Sequence, residues 1–197
     1  FTEYCHLSVA DRKPYYSRLK NSLRQLDTKT IEILPQTMPP FPWHFGGQRF
    51  HNIMMDKQEI IKFCTEMDMR ICLDVSHTKL ASQFLRHDFC EVLRALAPFT
   101  AHMHLADAKG LHGEGLQVNE GEINWNAFMA LRHSELAHAS FIVEIWQGHK
   151  NGNHGAKKAL YRLQEASNDY QNIKKHKVVP LQPVPSEPIR VRTANRT

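Results

Sequence analysis

The stretch Arg70-Ile71-Cys72-Leu73-Asp74-Val75-Ser76-His77 decides the fold class, because a short apolar run ends on two potential metal ligands. Residues 71–75 are too few for a helix, and they are β-branched enough for a strand buried on both faces. Asp74 and His77 then lie at the C-terminal end of that strand, where sites form in parallel α/β sheets. Taken alone, the stretch also fits a strand that runs into a loop with a capping Asp and an unrelated His.

Strands and helices alternate along the chain. Apolar, β-branched runs predict strands over residues 30–34, 71–75, 101–106 and 141–146. Helical spacing predicts helices over residues 10–26, 56–67, 87–96, 125–132 and 155–166, with Asp11 and Asp56 as caps of the first two. No strand is bounded by a hairpin turn, so the pattern predicts an α/β fold of parallel strands joined by right-handed crossovers.

The segment QTMPPFPWHFGGQRFHN, residues 36–52, is a long loop with unusual composition. Its prolines exclude a central strand, its glycines exclude a regular helix, and its aromatic side chains must pack somewhere. Two interpretations stay open. The loop is either a lid over a site or an insertion that covers the rim of the fold.

Composition places the chain among ordinary soluble globular proteins, with 42% hydrophobic and 23% charged residues. The net charge of +5 is misleading, because residues 171–197 hold six Lys and Arg against one Glu and leave 19 basic and 19 acidic residues before them. A balanced folded part offers no basic face for phosphates, so nucleic-acid binding is disfavoured. No apolar run approaches the roughly 20 residues that span a bilayer, so we expect no membrane association.

The chain divides into one domain, residues 1–168, and a Pro-rich basic tail or linker, residues 169–197, which we expect to be disordered. The four cysteines form no CxxC pair and fall in or beside predicted elements, which is typical of reduced, buried thiols in a cytoplasmic protein. The chain has no initiator Met and opens in the middle of a pattern. We therefore expect it to be a fragment.

Each predicted strand ends with a residue of a type that binds metals. They are Glu32, then Asp74 with His77, then His104 with Asp107, then Glu144. A charged or imidazole side chain in an apolar strand is costly unless it is paired or bound to a metal, and a shared divalent cation explains all four strands at once. A mostly oxygen site suits Mn²⁺, Mg²⁺ or Co²⁺, and Zn²⁺ is the alternative if more histidines take part.

Four motifs carry a resemblance to a known family. They are LDVSH (73–77), HLADAKG (104–110), NEGEINW (119–125) and FIVEIW (141–146). In this order they resemble the xylose-isomerase-like TIM barrels, which include sugar and sugar-phosphate isomerases and epimerases and endonuclease IV of AP endonuclease family 2. The resemblance covers about residues 30–166 and implies a (β/α)8 barrel of which this chain supplies the last four βα units.

The resemblance also implies roles for individual residues. Glu32, Asp74, His104 and Glu144 would be metal ligands, and His77, Asp107 and Lys109 would bind the substrate. Two features depart from the family pattern. The segment IEILPQT (31–37) has no Asn after its Glu, and the loop after HLADAK offers only His112 and Glu114 where the endonuclease branch has an Asp-x-His zinc pair.

The chemistry that follows is proton transfer beside a carbonyl. A metal that bridges a carbonyl and an adjacent hydroxyl stabilises an enediolate, and Glu32 and Glu144 would be the catalytic residues that remove and return the proton. The first hypothesis is thus a metal-dependent isomerase or epimerase of a sugar or sugar phosphate. The alternatives are an endonuclease-IV-like phosphodiesterase and a non-catalytic sugar-binding barrel fused to a sialic-acid-type synthase. Expected partners are the sugar and either the missing half of the barrel or a second copy.

Overall fold

The computed structural model describes residues 7–44, 47–48 and 50–177. The helices are α1 (Val9–Arg24), α2 (Lys57–Met67), α3 (Val75–Leu85), α4 (Phe89–Leu96), α5 (Trp125–Arg132) and α6 (Lys150–Lys177). The strands are β1 (Trp43–His44), β2 (Gly47–Gln48), β3 (Ile71–Asp74), β4 (Thr100–Leu105), β5 (Asp107–Lys109), β6 (Gly113–Leu116) and β7 (Ser140–Val143). The expected α/β class is confirmed.

The central sheet contains three parallel strands in the order β3-β4-β7. Successive side chains alternate between its two faces. One face packs under the helices and holds Leu73 and Met103, both fully buried. The other face carries a polar row, in which Asp74 lies opposite His104. Within the described part of the chain this sheet stays open, as a partial barrel would.

Side-chain caps fix where four of the helices begin. The side chain of Asp56 accepts hydrogen bonds from two backbone N–H groups of α2, and that of Asp74 accepts one from the His77 N–H in α3. Asp88 and Asn124 cap α4 and α5 in the same way. Helix α3 was not predicted, because it begins at Val75 with no loop after β3.

Two other elements differ from the prediction. Ser8, not Asp11, is the N-cap of α1, and Asp11 lies in the first turn, where its N–H binds the Ser8 hydroxyl. Strand β6 lies within the segment GLHGEGLQVNEGEIN (110–124), which was expected to be a loop, and forms the antiparallel hairpin β5-β6 with residues 107–109. Gly residues made this segment look like an irregular loop. Strands β1 and β2 are a second antiparallel pair, so the expectation of parallel strands without hairpins was wrong in these two places.

The predicted strand 30–34 is absent. The chain instead approaches the sheet slightly later, where Gln36 forms a single parallel bridge to Cys72 and the Cys72 N–H binds the Pro35 carbonyl. Pro35 has no N–H of its own and limits the pairing to these few bonds. The expected fourth strand is therefore a short extended contact.

At the other end, α6 continues to Lys177, so residues 169–177 of the predicted tail are helical, and Tyr170 stacks on His133. Residues 178–197 lie outside the described residues. Cys64, Cys72 and Cys90 are free thiols, the first two buried, and Cys5 lies outside the described part. No helix among the described residues is long and apolar enough to cross a membrane.

Candidate active site

Asp74 is the centre of the polar face at the C-terminal end of the sheet. Its side chain is 5% exposed, and it is held by the cap to His77 and by a hydrogen bond that Gln36 Nε2 donates to Oδ2 over 3.0 Å. The Thr37 hydroxyl bonds both the N–H and the carbonyl of Asp74. Because both the backbone and the carboxylate are fixed, Oδ2 has a defined place in the site.

His104 and Glu144 face Asp74 from the two neighbouring strands. His104 Nδ1 lies 2.6 Å from Glu144 Oε2 and 3.7 Å from Asp74 Oδ2. Asp74, then Cys72 and Glu144, raise the pKa of His104 to about 12, and His104 lowers the pKa of Glu144. The raised pKa of His104 thus reflects the carboxylates that surround it at the end of β4 and β7.

These three side chains fit a divalent cation. One donor atom from each lies within 4.8 Å of the others. His104 Nδ1 is buried and, among the described residues, no atom stands in hydrogen-bond geometry with it despite the short approach of Glu144. We therefore attribute the raised pKa to nearby negative charge rather than to an aligned hydrogen bond. Two carboxylates and one imidazole are a donor set for Mn²⁺, Co²⁺ or Mg²⁺.

His77 extends the site on the other side of Asp74. Its Nδ1 lies 3.5 Å from Asp74 Oδ2 and 3.0 Å from the Thr37 carbonyl, and its Nε2 lies 3.3 Å from Glu114 Oε2. Burial opposes charge on this imidazole, but Asp74 and then Glu114 outweigh burial and raise the pKa of His77. Glu114 joins the site from strand β6.

A cavity of about 570 Å³ opens beside these groups, which is within the usual size for a small-molecule site. Asp74, His77, Glu114 and Glu144 line it. So do four residues that follow β7 and that sequence reasoning missed, namely Trp146, Gln147, His149 and Lys150. Position after a strand end was their one signal in the sequence.

Glu32 does not reach this site. Its carboxylate is half exposed and pairs with Arg70 through two hydrogen bonds, of 2.8 and 2.6 Å. That pair lowers the pKa of Glu32. The chain meets β3 at Gln36 rather than at Glu32, so the amide of Gln36 occupies the position beside Asp74 that was predicted for a carboxylate.

Asp107 and Lys109 also differ from their predicted substrate-binding roles. Asp107 is fully buried, and its carboxylate accepts hydrogen bonds from the N–H groups of Ala108 and Ile123 and from Trp125 Nε1. Asp107 therefore links the β5-β6 hairpin to helix α5. Lys109 is exposed and does not line the cavity.

Besides Gln36 and Thr37 at its start, the loop of residues 36–52 reaches the site through Trp43. The Trp43 N–H donates a hydrogen bond to Glu114 Oε1 over 3.3 Å, next to the short pair β1-β2. Phe41 and Phe50 pack edge to face and against Phe84 of α3. The loop thus packs against α3 and contacts β6, and its role as a lid stays a prediction.

Comparison with known proteins places this geometry in a family. Residues 5–166 match the family model described as xylose isomerase-like TIM barrel. No curated protein matches the sequence.

Several solved structures share the fold. A structure of L-ribulose 3-epimerase has a TM-score of 0.63 at 10% sequence identity. The match covers 92% of this chain and 62% of the epimerase chain. A D-tagatose 3-epimerase-like protein has a TM-score of 0.54 at 20% identity, with coverage of 83% of this chain and 55% of that one. A probable 3-DHS dehydratase from Bacillus anthracis has a TM-score of 0.56 at 17% identity, covering 80% and 58%. The chain thus spans somewhat more than half the length of these proteins.

Proposed function

Because the chain belongs to the xylose isomerase-like TIM barrel family, we propose that it carries the metal centre of an epimerase that inverts one carbon of a ketose sugar. The observation that carries the proposal is the cluster of Asp74, His104 and Glu144 at the end of the parallel sheet, beside a cavity of sugar size. Two solved structures of the same fold, an L-ribulose 3-epimerase and a D-tagatose 3-epimerase-like protein, support the choice of substrate and reaction.

The three side chains would hold the cation through Oδ2 of Asp74, Nδ1 of His104 and Oε2 of Glu144. A divalent cation there would polarise the carbonyl and adjacent hydroxyl of the sugar and stabilise the negative charge that develops when the neighbouring C–H proton leaves. Glu144 is half exposed at the cavity wall, so its carboxylate can take that proton from the substrate. His77 presents Nε2 to the same cavity and can bind a sugar hydroxyl.

The test follows the C–H hydrogen of the substrate. We expect the full chain with Mn²⁺ to exchange the hydrogen next to the carbonyl of D-tagatose, D-allulose or L-ribulose in D₂O and to form the epimer, as observed by NMR. Glu144→Gln should lose the exchange, because an amide can coordinate through its oxygen but cannot act as a base at neutral pH. Glu120→Gln, which changes an exposed carboxylate paired with Lys158 and Arg162, is the control and should keep it.

Other reaction products would favour other functions. Loss of water from the substrate would favour a dehydratase, since a probable dehydratase shares the fold. Cleavage of a phosphodiester without any C–H exchange would favour the endonuclease-like alternative. Tight sugar binding with neither reaction would favour the non-catalytic barrel.

A further inference from the structure

The epimerase proposed above requires a second proton-transfer group, and Glu32 does not supply it. Inversion at carbon needs one group to remove the proton from one face and another to deliver a proton to the opposite face. Glu32 is on the outer surface with Arg70. The second group must therefore be a residue other than Glu32.

Glu114 has the required position. The ionisable groups form a connected row around the cavity, in which the neighbouring atoms are 3.3, 3.5, 3.7 and 2.6 Å apart. The row runs from Glu114 through His77, Asp74 and His104 to Glu144. Glu114 and Glu144 are its two ends, and both line the cavity. Both carboxylates therefore border the cavity, Glu114 from β6 and Glu144 from the position directly after β7.

The two oxygens of Glu114 have different surroundings. Oε1 accepts a hydrogen bond from the Trp43 N–H, which orients the carboxylate. Oε2 is buried, and no donor among the described residues stands in hydrogen-bond geometry with it, although His77 Nε2 is 3.3 Å away. A buried carboxylate oxygen without a donor is costly. A substrate that brings a proton to Oε2 would remove that cost.

The backbone around Glu114 is fixed on both sides of the cavity. The N–H of Gly115 donates to the Ser76 hydroxyl in α3, and the carbonyl of Gly115 accepts from the Trp146 N–H after β7. Gly115 adopts a left-handed φ of 69°, which L side chains rarely adopt, although a Cβ there would make only ordinary contact with Trp146. Strand β6 is therefore attached to the start of α3, two residues after Asp74, and to the segment after β7, two residues after Glu144, which fixes the backbone of Glu114 beside the proposed cation site.

We propose that Glu114 is the second acid–base residue of this site. For one epimer, Glu144 takes the C–H proton and the electron pair of the broken bond moves onto the carbonyl oxygen. Protonated Glu114 then delivers a proton to the other face of the same carbon, and the electron pair returns to form the new C–H bond as the carbonyl is restored. Glu144 ends protonated and Glu114 ionised. Exchange of both protons with water restores the starting state, and the reverse reaction uses the two groups in opposite roles.

The two epimers should respond differently to the loss of Glu114. With D-allulose and D-fructose, which are epimers at carbon 3, the Glu114→Gln chain should exchange the carbon-3 hydrogen of only one sugar in D₂O and interconvert neither. Glu144→Gln should not exchange that same sugar. Glu114→Asp should recover part of the interconversion, because it restores a carboxylate one methylene shorter.

Three controls separate this role from others. Calorimetry with Mn²⁺ alone should give the same affinity for Glu114→Gln and wild type, since Glu114 is not among the proposed ligands; a loss of Mn²⁺ affinity would overturn the proposal. An equal loss of exchange from both sugars, or a rise in KM with unchanged kcat, would also overturn it and make Glu114 a residue that binds a sugar hydroxyl. Glu120→Gln should behave as wild type in every measurement.

Absence of exchange in the wild type would overturn the proposed function itself. Exchange in the wild type, together with full interconversion by Glu114→Gln, would overturn only the role of Glu114.

Discussion

At the level of single residues, some side chains of the four motifs form the candidate site and others stabilise the fold. Asp74, His104 and Glu144 come together as predicted, but Asp107 serves the fold. From the sequence alone these cases are alike, because each is an acid or imidazole at a strand end. The three donors that point into Asp107 decide its role, and two of them lie sixteen or more positions away in the chain.

Asp107→Asn should destabilise the protein by about 2–3 kcal/mol, because an amide cannot accept all three hydrogen bonds of a buried carboxylate and leaves a donor unpaired. Urea unfolding measures this directly. Asp27→Asn, at an exposed position where the carboxylate lies 3.8 Å from Lys29, is the matched control and should leave the unfolding midpoint unchanged. Equal stability of the two variants would contradict a structural role for Asp107.

Glu32→Gln tests the correction of the predicted ligand set. Because the carboxylate of Glu32 bonds Arg70 at the surface, removing its charge should leave the affinity for Mn²⁺ unchanged in calorimetry. Gln36→Ala gives the comparison, since it removes the amide that orients Asp74 Oδ2 and should weaken Mn²⁺ binding by roughly tenfold, as partners of metal ligands commonly do. Weaker Mn²⁺ binding by Glu32→Gln, with unchanged binding by Gln36→Ala, would support the prediction that Glu32 is a metal ligand.

At the scale of elements, the sequence predicted the parallel strands and most helices but misplaced their junctions. Hydrophobic periodicity indicates that β3, β4 and β7 exist, whereas pairing with neighbours determines where each ends. Nothing in residues 30–34 shows that the chain will meet the sheet only at Gln36. Likewise, the Gly residues of the predicted loop 110–124 conceal strand β6, whose backbone is anchored by the Ser76 hydroxyl of α3.

The turn that follows β6 and contains Gly121 can be tested by substitution. A Cβ on Gly121 would overlap the buried Asp107 carboxylate and the Ala108 carbonyl, so Gly121→Ala should cost about 3 kcal/mol, at the upper end of overpacking costs. Gly110 has a left-handed φ of 64° but open space around it, so Gly110→Ala should cost only about 1 kcal/mol. Thermal unfolding of the two variants ranks these costs. A less stable Gly110→Ala variant would contradict the described packing around Asp107.

At the scale of the whole molecule, the described residues leave one side of the sheet uncovered. Strand β7 pairs on one edge only, and apolar side chains at and after it are exposed, with Ile142 at 49% and Trp146 at 68%. Unpaired strand edges and exposed apolar surface favour association with further chain. The cavity with its cation site lies next to this edge.

We therefore expect the isolated chain to self-associate rather than to behave as a stable monomer. Sedimentation velocity over a range of concentrations should show species larger than one chain, and Ile142→Lys should reduce them by placing a charge on the open face. Glu120→Lys, a charge change on the distant helical side, should not. Monomeric sedimentation together with a single cooperative thermal transition would contradict this expectation.

The most direct test of the proposed metal site is calorimetric titration of the full chain with Mn²⁺, comparing wild type with Asp74→Asn. Asparagine keeps an oxygen that can cap α3 at the His77 N–H but removes the charge of a ligand. We predict one Mn²⁺ per chain in the wild type and affinity weaker by roughly tenfold or more in Asp74→Asn, since changes merely outside a ligand shell already cost that much. Unfolding without metal should be alike for both. Equal Mn²⁺ affinity in the two proteins would contradict the assignment of Asp74, His104 and Glu144 as the metal centre.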